Sequence, residues 1–131
     1  MRSDHLGIAV ARLDDALKRW EALLGEPAHP PELVESQKVR VAFLDAGGMH
    51  LELLEPTSPE SPVARFIDKR GEGLHHLAFH VPDVKKELDR LVARGDRVID
   101  TVPRPGARGR RVGFAHPSAF GGVLVEFVEG P

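Results

Sequence analysis

The chain has no cysteine. Disulfides and thiolate chemistry are excluded, and any bound metal must be held by nitrogen and oxygen. There is no basic excess either: 18 Lys and Arg stand against 20 Asp and Glu, a formal net charge of −2. A nucleic-acid binder normally carries the opposite bias. No apolar run approaches the roughly 18 residues of a membrane-spanning helix. No signal-like segment precedes the first β-rich stretch, so the expectation is a cytoplasmic protein with no membrane partner. Neither a Gly-Lys-Thr phosphate loop nor a dinucleotide fingerprint occurs.

What remains is an ordinary globular composition. The 131 residues are 41% hydrophobic and 29% charged, enough for one domain with a real core. Within it a pattern occurs twice. Gly73–Val81 reads GLHHLAFHV, and Asp4–Val10 reads DHLGIAV. Aligning His5 with His76, an offset of 71, brings Leu6 onto Leu77, Ile8 onto Phe79 and Val10 onto Val81. A second match lies downstream: GGMHLELLE ending at Glu55 against GGVLVEFVE ending at Glu129, which pairs Glu52 with Glu126 at an offset of 74. Three residues have entered the second copy, in its loops. A matched start, helix and end indicate a duplicated unit.

Each copy reads as β-α-β-β-β. In the first, a strand at 4–10 is followed by helical spacing from Leu13 to Leu24 with Gly25 as the stop. Strands are expected at Leu33–Glu35, Val39–Leu44 and Met49–Leu54. A Pro- and Ser-rich linker and a short helix from Val63 to Lys69 precede the second copy. That copy has a strand at Leu74–Val81, a helix at Val84–Arg94 capped by Asp83, and strands at Arg97–Asp100, Arg111–Ala115 and Val123–Val128. The expected fold is α+β, a single domain over 1–131: module one at 1–56, linker and short helix at 57–72, module two at 73–131. The two curled mixed sheets would form a shared metal-binding cleft.

Alternation along the strands assigns faces. Leu6, Ile8 and Val10 belong to the helix-packed side, and His5, Gly7 and Ala9 to the other. Likewise Leu77, Phe79 and Val81 oppose His76, Ala78 and His80. Leu51 and Leu53 oppose Glu52, and Val125 and Phe127 oppose Glu126. Each module thus puts one imidazole and one carboxylate on the side its helix leaves clear. If the sheets curl together, His5, Glu52, His76 and Glu126 become a set of metal ligands. Such donors suit Co, Mn, Ni, Zn or Fe(II), with coordination positions left for substrate. The other histidines, His29, His50, His75, His80 and His116, lack a duplicated partner. His75 is expected to face the core.

These residues resemble the vicinal oxygen chelate superfamily, which includes glyoxalase I and extradiol dioxygenases. Within it the chain is similar to the methylmalonyl-CoA epimerases, over nearly its whole length. The similarity is carried by HLGIAV from His5, QKVRVAFL from Gln37, LELLEP from Leu51, KRGEGLHH from Lys69, PRPGA from Pro103, His116-Pro117 and GGVLVE from Gly121. The resemblance implies a metal-dependent isomerase that interconverts the 2R and 2S forms of methylmalonyl-CoA through a metal-stabilised enolate. It implies His5, Glu52, His76 and Glu126 as ligands, commonly of Co2+, with Mn2+, Ni2+ and Zn2+ as alternatives. It also implies a homodimer and a CoA thioester as the small-molecule partner. Glu126 is the expected catalytic base. The position of the family's second glutamate base falls on Val41, which leaves Glu35 or a water for that task. The loop Pro103–Arg111, basic and Gly-rich, is a candidate cover for the CoA phosphates. Two other readings stand beside this one: a glyoxalase-like lyase, and a non-catalytic small-molecule-binding protein of the same fold.

Overall fold

In a computed structural model all 131 residues are described. The chain divides into two compact units. The first is His5–His75; the second joins Met1–Asp4 to His76–Pro131.

The first unit contains most of β1 (Arg2–Ala9), then α1 (Leu13–Leu24), β2 (Glu32–Val34), β3 (Val39–Asp45), β4 (His50–Pro56) and α2 (Pro62–Arg70). Its strands run in the order β2-β3-β4-β1. β1 and β4 are parallel, as a crossover through α1 requires, while β2-β3 and β3-β4 are antiparallel hairpin neighbours. The turn between β3 and β4 uses Gly47 and Gly48, both at positive φ. α1 packs on one side of the sheet. Its Leu13 joins Ile8, Val10, Leu44, Leu51 and Leu53 in a buried cluster, with Leu17 and Trp20 against its edge. Gly25 ends the helix in the left-handed conformation, and its N–H closes on Glu21.

The second unit begins within β5 (Gly73–His80) and continues through α3 (Val84–Ala93), β6 (Arg104–Pro105), β7 (Arg111–Ala115) and β8 (Val125–Glu129). The strand order is β5-β8-β7-β6, with β5 and β8 parallel and the other pairs antiparallel. α3 buries Val84, Leu88 and Leu91 against Val81, Val125 and Phe127. Gly113 on β7 lets the helix come this close: a Cβ there would lie 2.8 Å from Leu88 Cδ1 and 3.0 Å from Val84 Cγ1. Asp83 is the N-cap, accepting the Lys86 N–H at 3.1 Å.

The α+β class and the β-α-β-β-β order of each unit agree with the sequence reading, with one correction. Arg97–Asp100 is not a strand; only a single bridge joins Val98 to Ala115. The Ile99 and Asp100 N–H groups both turn onto the Phe114 carbonyl, and the Asp100 carboxylate takes the Phe114 N–H at 2.9 Å. A side chain that bonds the neighbouring backbone competes with a ladder. The pairing strand comes later, as Arg104–Pro105. A proline there is tolerated because β6 is an edge. β8 also starts later than expected, at Val125 instead of Val123.

Candidate functional site

In the first unit, cross-strand registers place Gly7 beside Glu52 and Phe43 beside Glu52. Partners in register share a face. Glu52 therefore lies on the side away from α1, with His5 two residues before Gly7 on the same side. His5 Nε2 and Glu52 Oε1 are 3.3 Å apart. The two residues are only 2% and 6% exposed. The Phe43 ring meets His5 edge-on, centroids 5.5 Å apart, so the imidazole is held by its neighbour across the strands.

The second unit repeats the arrangement. Ala78 and Phe114 flank Glu126 in register. His76 Nε2 and Glu126 Oε1 are 3.3 Å apart, with exposures of 3% for both residues. Phe114 meets the His76 ring edge-on at 5.8 Å. The alternation thus assigned all four side chains to the side it predicted, and the phenylalanines that brace the imidazoles are themselves a repeated pair. Sequence reasoning missed that pair. Its signal was there in the equivalent positions of VAFL and VGFA.

His5, Glu52, His76 and Glu126 make up a group of buried residues able to hold a metal ion. The donor chemistry fits a divalent cation of intermediate hardness: two imidazole nitrogens and two carboxylates, with no sulfur. The 3.3 Å separation within each pair fits as well. Donors bound roughly 2.0–2.2 Å from one ion lie about 3 Å from each other. Buried carboxylates are costly without a compensating positive charge, which a divalent ion provides.

The remaining histidines have other tasks. His29 Nε2 and His50 Nδ1 lie 3.2 Å and 2.7 Å from the Asp45 carboxylate. The hydrogen bond to His29, seconded by that to His50, holds the Asp45 carboxyl below its usual range. His80 donates from Nε2 to the Gly130 carbonyl at 2.9 Å. His116 Nδ1 accepts the Ser118 N–H at 3.0 Å, opening a short 3-10 turn. His75 is half-buried against the Phe66 ring of α2, 4.9 Å between centroids, so the core position expected for it becomes a helix contact.

The arginines of the loop 103–111 also separate. Arg110 is buried and makes a bidentate pair with Asp4, both contacts at 2.8 Å, so it belongs to the framework and not to a phosphate-covering surface. Arg104 lies over the Phe114 ring at 5.4 Å, with Nε 3.2 Å from Asp100 Oδ1. Glu35 is exposed and opens a 3-10 turn, Glu35–Gln37, in the connection between β2 and β3.

A second role for the repeated carboxylates was not foreseen. Glu55 Oε2 accepts the Leu13 N–H at 3.0 Å, and Glu129 Oε1 accepts the Val84 N–H at 3.0 Å. These are the first residues of α1 and α3. In each Glu-x-x-Glu the first carboxylate serves the candidate site. The second, three residues on and therefore on the opposite face, holds a helix N-terminus.

Comparison with known proteins is consistent with this geometry. Residues 4–114 match the model of the Glyoxalase/Bleomycin resistance protein/Dioxygenase superfamily. The chain is 44% identical to the uncharacterised protein YqjC of Bacillus subtilis, over 98% of this chain and 91% of that one. It is 36% identical to the ethylmalonyl-CoA/methylmalonyl-CoA epimerase of Cereibacter sphaeroides, over 95% of each chain. A solved structure of methylmalonyl-CoA epimerase in complex with methylmalonyl-CoA and NH4+ superposes with a TM-score of 0.91 at 38% identity, covering 98% of this chain and 94% of the other.

Proposed function

Because the chain belongs to the Glyoxalase/Bleomycin resistance protein/Dioxygenase superfamily and, within it, to the family of the methylmalonyl-CoA epimerases, we infer that it interconverts (2R)- and (2S)-methylmalonyl-CoA. The observation that carries the reading is the buried His–Glu pair, built at 3.3 Å in each unit with the same phenylalanine brace. Relatives named as epimerases align over nearly the whole chain.

In this reading His5, Glu52, His76 and Glu126 hold one divalent ion, Co2+ in first place, then Mn2+, Ni2+ or Zn2+. When bound, the ion supplies Lewis-acid stabilisation of the negative charge that develops on the thioester oxygen as C2 loses its proton. The chain's own residues do the rest. Phe43 and Phe114 fix the imidazoles and keep water from their edges. Glu126 exchanges the C2 proton on one face of the acyl group. Small residues beside the histidines, Gly7, Ala9 and Ala78, leave the face low enough for a thioester to lie on it. A homodimer and a cytoplasmic location belong to the same proposal.

The experiment is direct. Chelator-treated protein reloaded with Co(II) is expected to exchange the C2 hydrogen of methylmalonyl-CoA with deuterium from D2O while interconverting the epimers. A glutathione hemithioacetal should be left unchanged. Stoichiometric metal binding with conversion of the hemithioacetal and no exchange of the CoA ester would assign a lyase instead. Absence of metal uptake would assign a binding protein.

A further inference from the structure

The β3–β4 hairpin carries a further group of metal-ligating side chains, outside the buried set. His29 Nε2 lies 3.2 Å from Asp45 Oδ2, and His50 Nδ1 lies 2.7 Å from Asp45 Oδ1. Asp45 and His50 are register partners at the end of the hairpin. The Ala46 N–H donates to the Met49 carbonyl at 2.8 Å and closes the turn between them. His29 belongs to the loop before β2, and its N–H donates to the Phe43 carbonyl at 2.8 Å. Backbone hydrogen bonds therefore fix the three places from which the donors project. The side chains are between 40% and 56% exposed, so an ion reaches them directly from solvent.

The duplication shows that the fold does not require these residues. In the second unit the Ile99 N–H donates to the Phe114 carbonyl, as the His29 N–H does to that of Phe43. Leu124 precedes Val125 and Glu126 as His50 precedes Leu51 and Glu52. Two apolar residues thus take the places of the two imidazoles. His116 stands two residues past Phe114, where Asp45 stands two past Phe43, and its ring serves Ser118. The second unit builds the same strands with no such group.

The group is also separate from the buried set. Partners in register share a face, so Asp45 and His50 lie on the face of Glu52, two residues on. In the order β3-β4-β1, however, His50 leans onto Asp45 of β3. Its other register partner, His5, lies on β1 and pairs with Glu52.

We propose that His29, Asp45 and His50 form a second, outlying site for one divalent cation of intermediate hardness, Zn2+, Ni2+ or Co2+. Two imidazole nitrogens and one carboxylate are a donor set such ions take, with the remaining positions left to water. Donors bound roughly 2.0–2.2 Å from one ion lie about 3 Å apart, and the two observed spacings bracket that value. Binding leaves each ring neutral, its proton moved to the nitrogen that faces away from the ion. Three exposed ligands make this a weaker site than four buried ones. The proposal goes beyond the epimerase reading and stands without it.

The test counts bound metal. Chelator-treated wild type and the variants His29→Ala, Asp45→Ala and His50→Ala are titrated with Zn(II) alone, by calorimetry and equilibrium dialysis. Wild type is expected to hold one equivalent more than each variant, or to hold it at least about tenfold more tightly, since even a partner of a ligand is worth roughly that factor. The comparison between proteins reads this site whether or not the buried set takes an ion. A second readout needs no variant: the His29 ring signals of wild type in NMR should shift in step with that equivalent. Equal stoichiometry and affinity in wild type and any one variant overturns the site and leaves adventitious surface binding only. Ring signals of His29 that do not respond to Zn(II) overturn it as well.

Discussion

The Asp4–Arg110 pair offers a quantitative test of how the second unit is tied together. The two residues are 106 positions apart, yet both guanidinium Nη atoms sit 2.8 Å from the Asp4 carboxylate. Side-chain exposures are 5% for Arg110 and 11% for Asp4. Arg110 Nε is buried without a hydrogen-bond partner, which makes the charge more dependent on Asp4. Asp4→Ala strands that charge, and breaking a buried pair from one side costs about 3–5 kcal/mol. That is a large share of the roughly 5–15 kcal/mol that holds a domain folded. With a urea m-value of about 2 kcal/mol/M, the unfolding midpoint should fall by around 2 M. The double variant Asp4→Leu with Arg110→Met should recover most of the loss, because the cost lies in the stranded charge and not in the missing attraction. Equilibrium urea unfolding of wild type, Asp4→Ala and the double variant measures the effect. A loss below about 1 kcal/mol for Asp4→Ala, or a double variant as unstable as the single one, would refute the argument.

Three further outcomes follow from the same geometry. Gly113→Ala forces a methyl against Leu88 and Val84 and should cost about 1–3 kcal/mol in thermal or urea unfolding, whereas Ala at exposed Gly71, with nothing nearby, is limited by its positive φ alone. Glu55→Ala and Glu129→Ala each remove a helix-terminal acceptor and should each lower stability by about 1 kcal/mol, additively, since they serve different helices. Asp45 should titrate by NMR below the usual Asp value and return toward it in His29→Ala. Its folded-state pKa is depressed, so any contribution to stability is present above the unfolded pKa and fades as pH falls through the folded one.

The sheet faces were legible because alternation is a geometric property of any strand with one buried side. Leu51 and Leu53 had to meet the helix, and Glu52 had no other place to go. The duplication then multiplied a weak signal, since a single strand glutamate or histidine says little and a matched set says much. The strand misplaced at Arg97–Asp100 shows the limit. Its composition passes for β, but the Asp100 side chain takes the Phe114 N–H, and a hydrogen bond between side chain and backbone 14 residues apart leaves no periodic trace. The faces of β2 and β6 were hidden for another reason. β2 and β6 have three and two residues, too few to show a period, so their faces emerge only from the register with β3 and β7.

The two Glu-x-x-Glu segments carry a consequence for the fidelity of folding. Parallel pairing of β4 with β1, and of β8 with β5, is non-local and open to misalignment. In each strand the carboxylates are splayed to opposite sides, one beside a histidine and the other on a helix terminus. A slip by one residue turns both to the wrong side. A slip by two keeps the sides but carries both about 6.8 Å along the strand, away from imidazole and helix alike. Either error strands two charges at once. The segment works as a two-toothed key, and in each unit it engages only when strand, helix and ligand are aligned together.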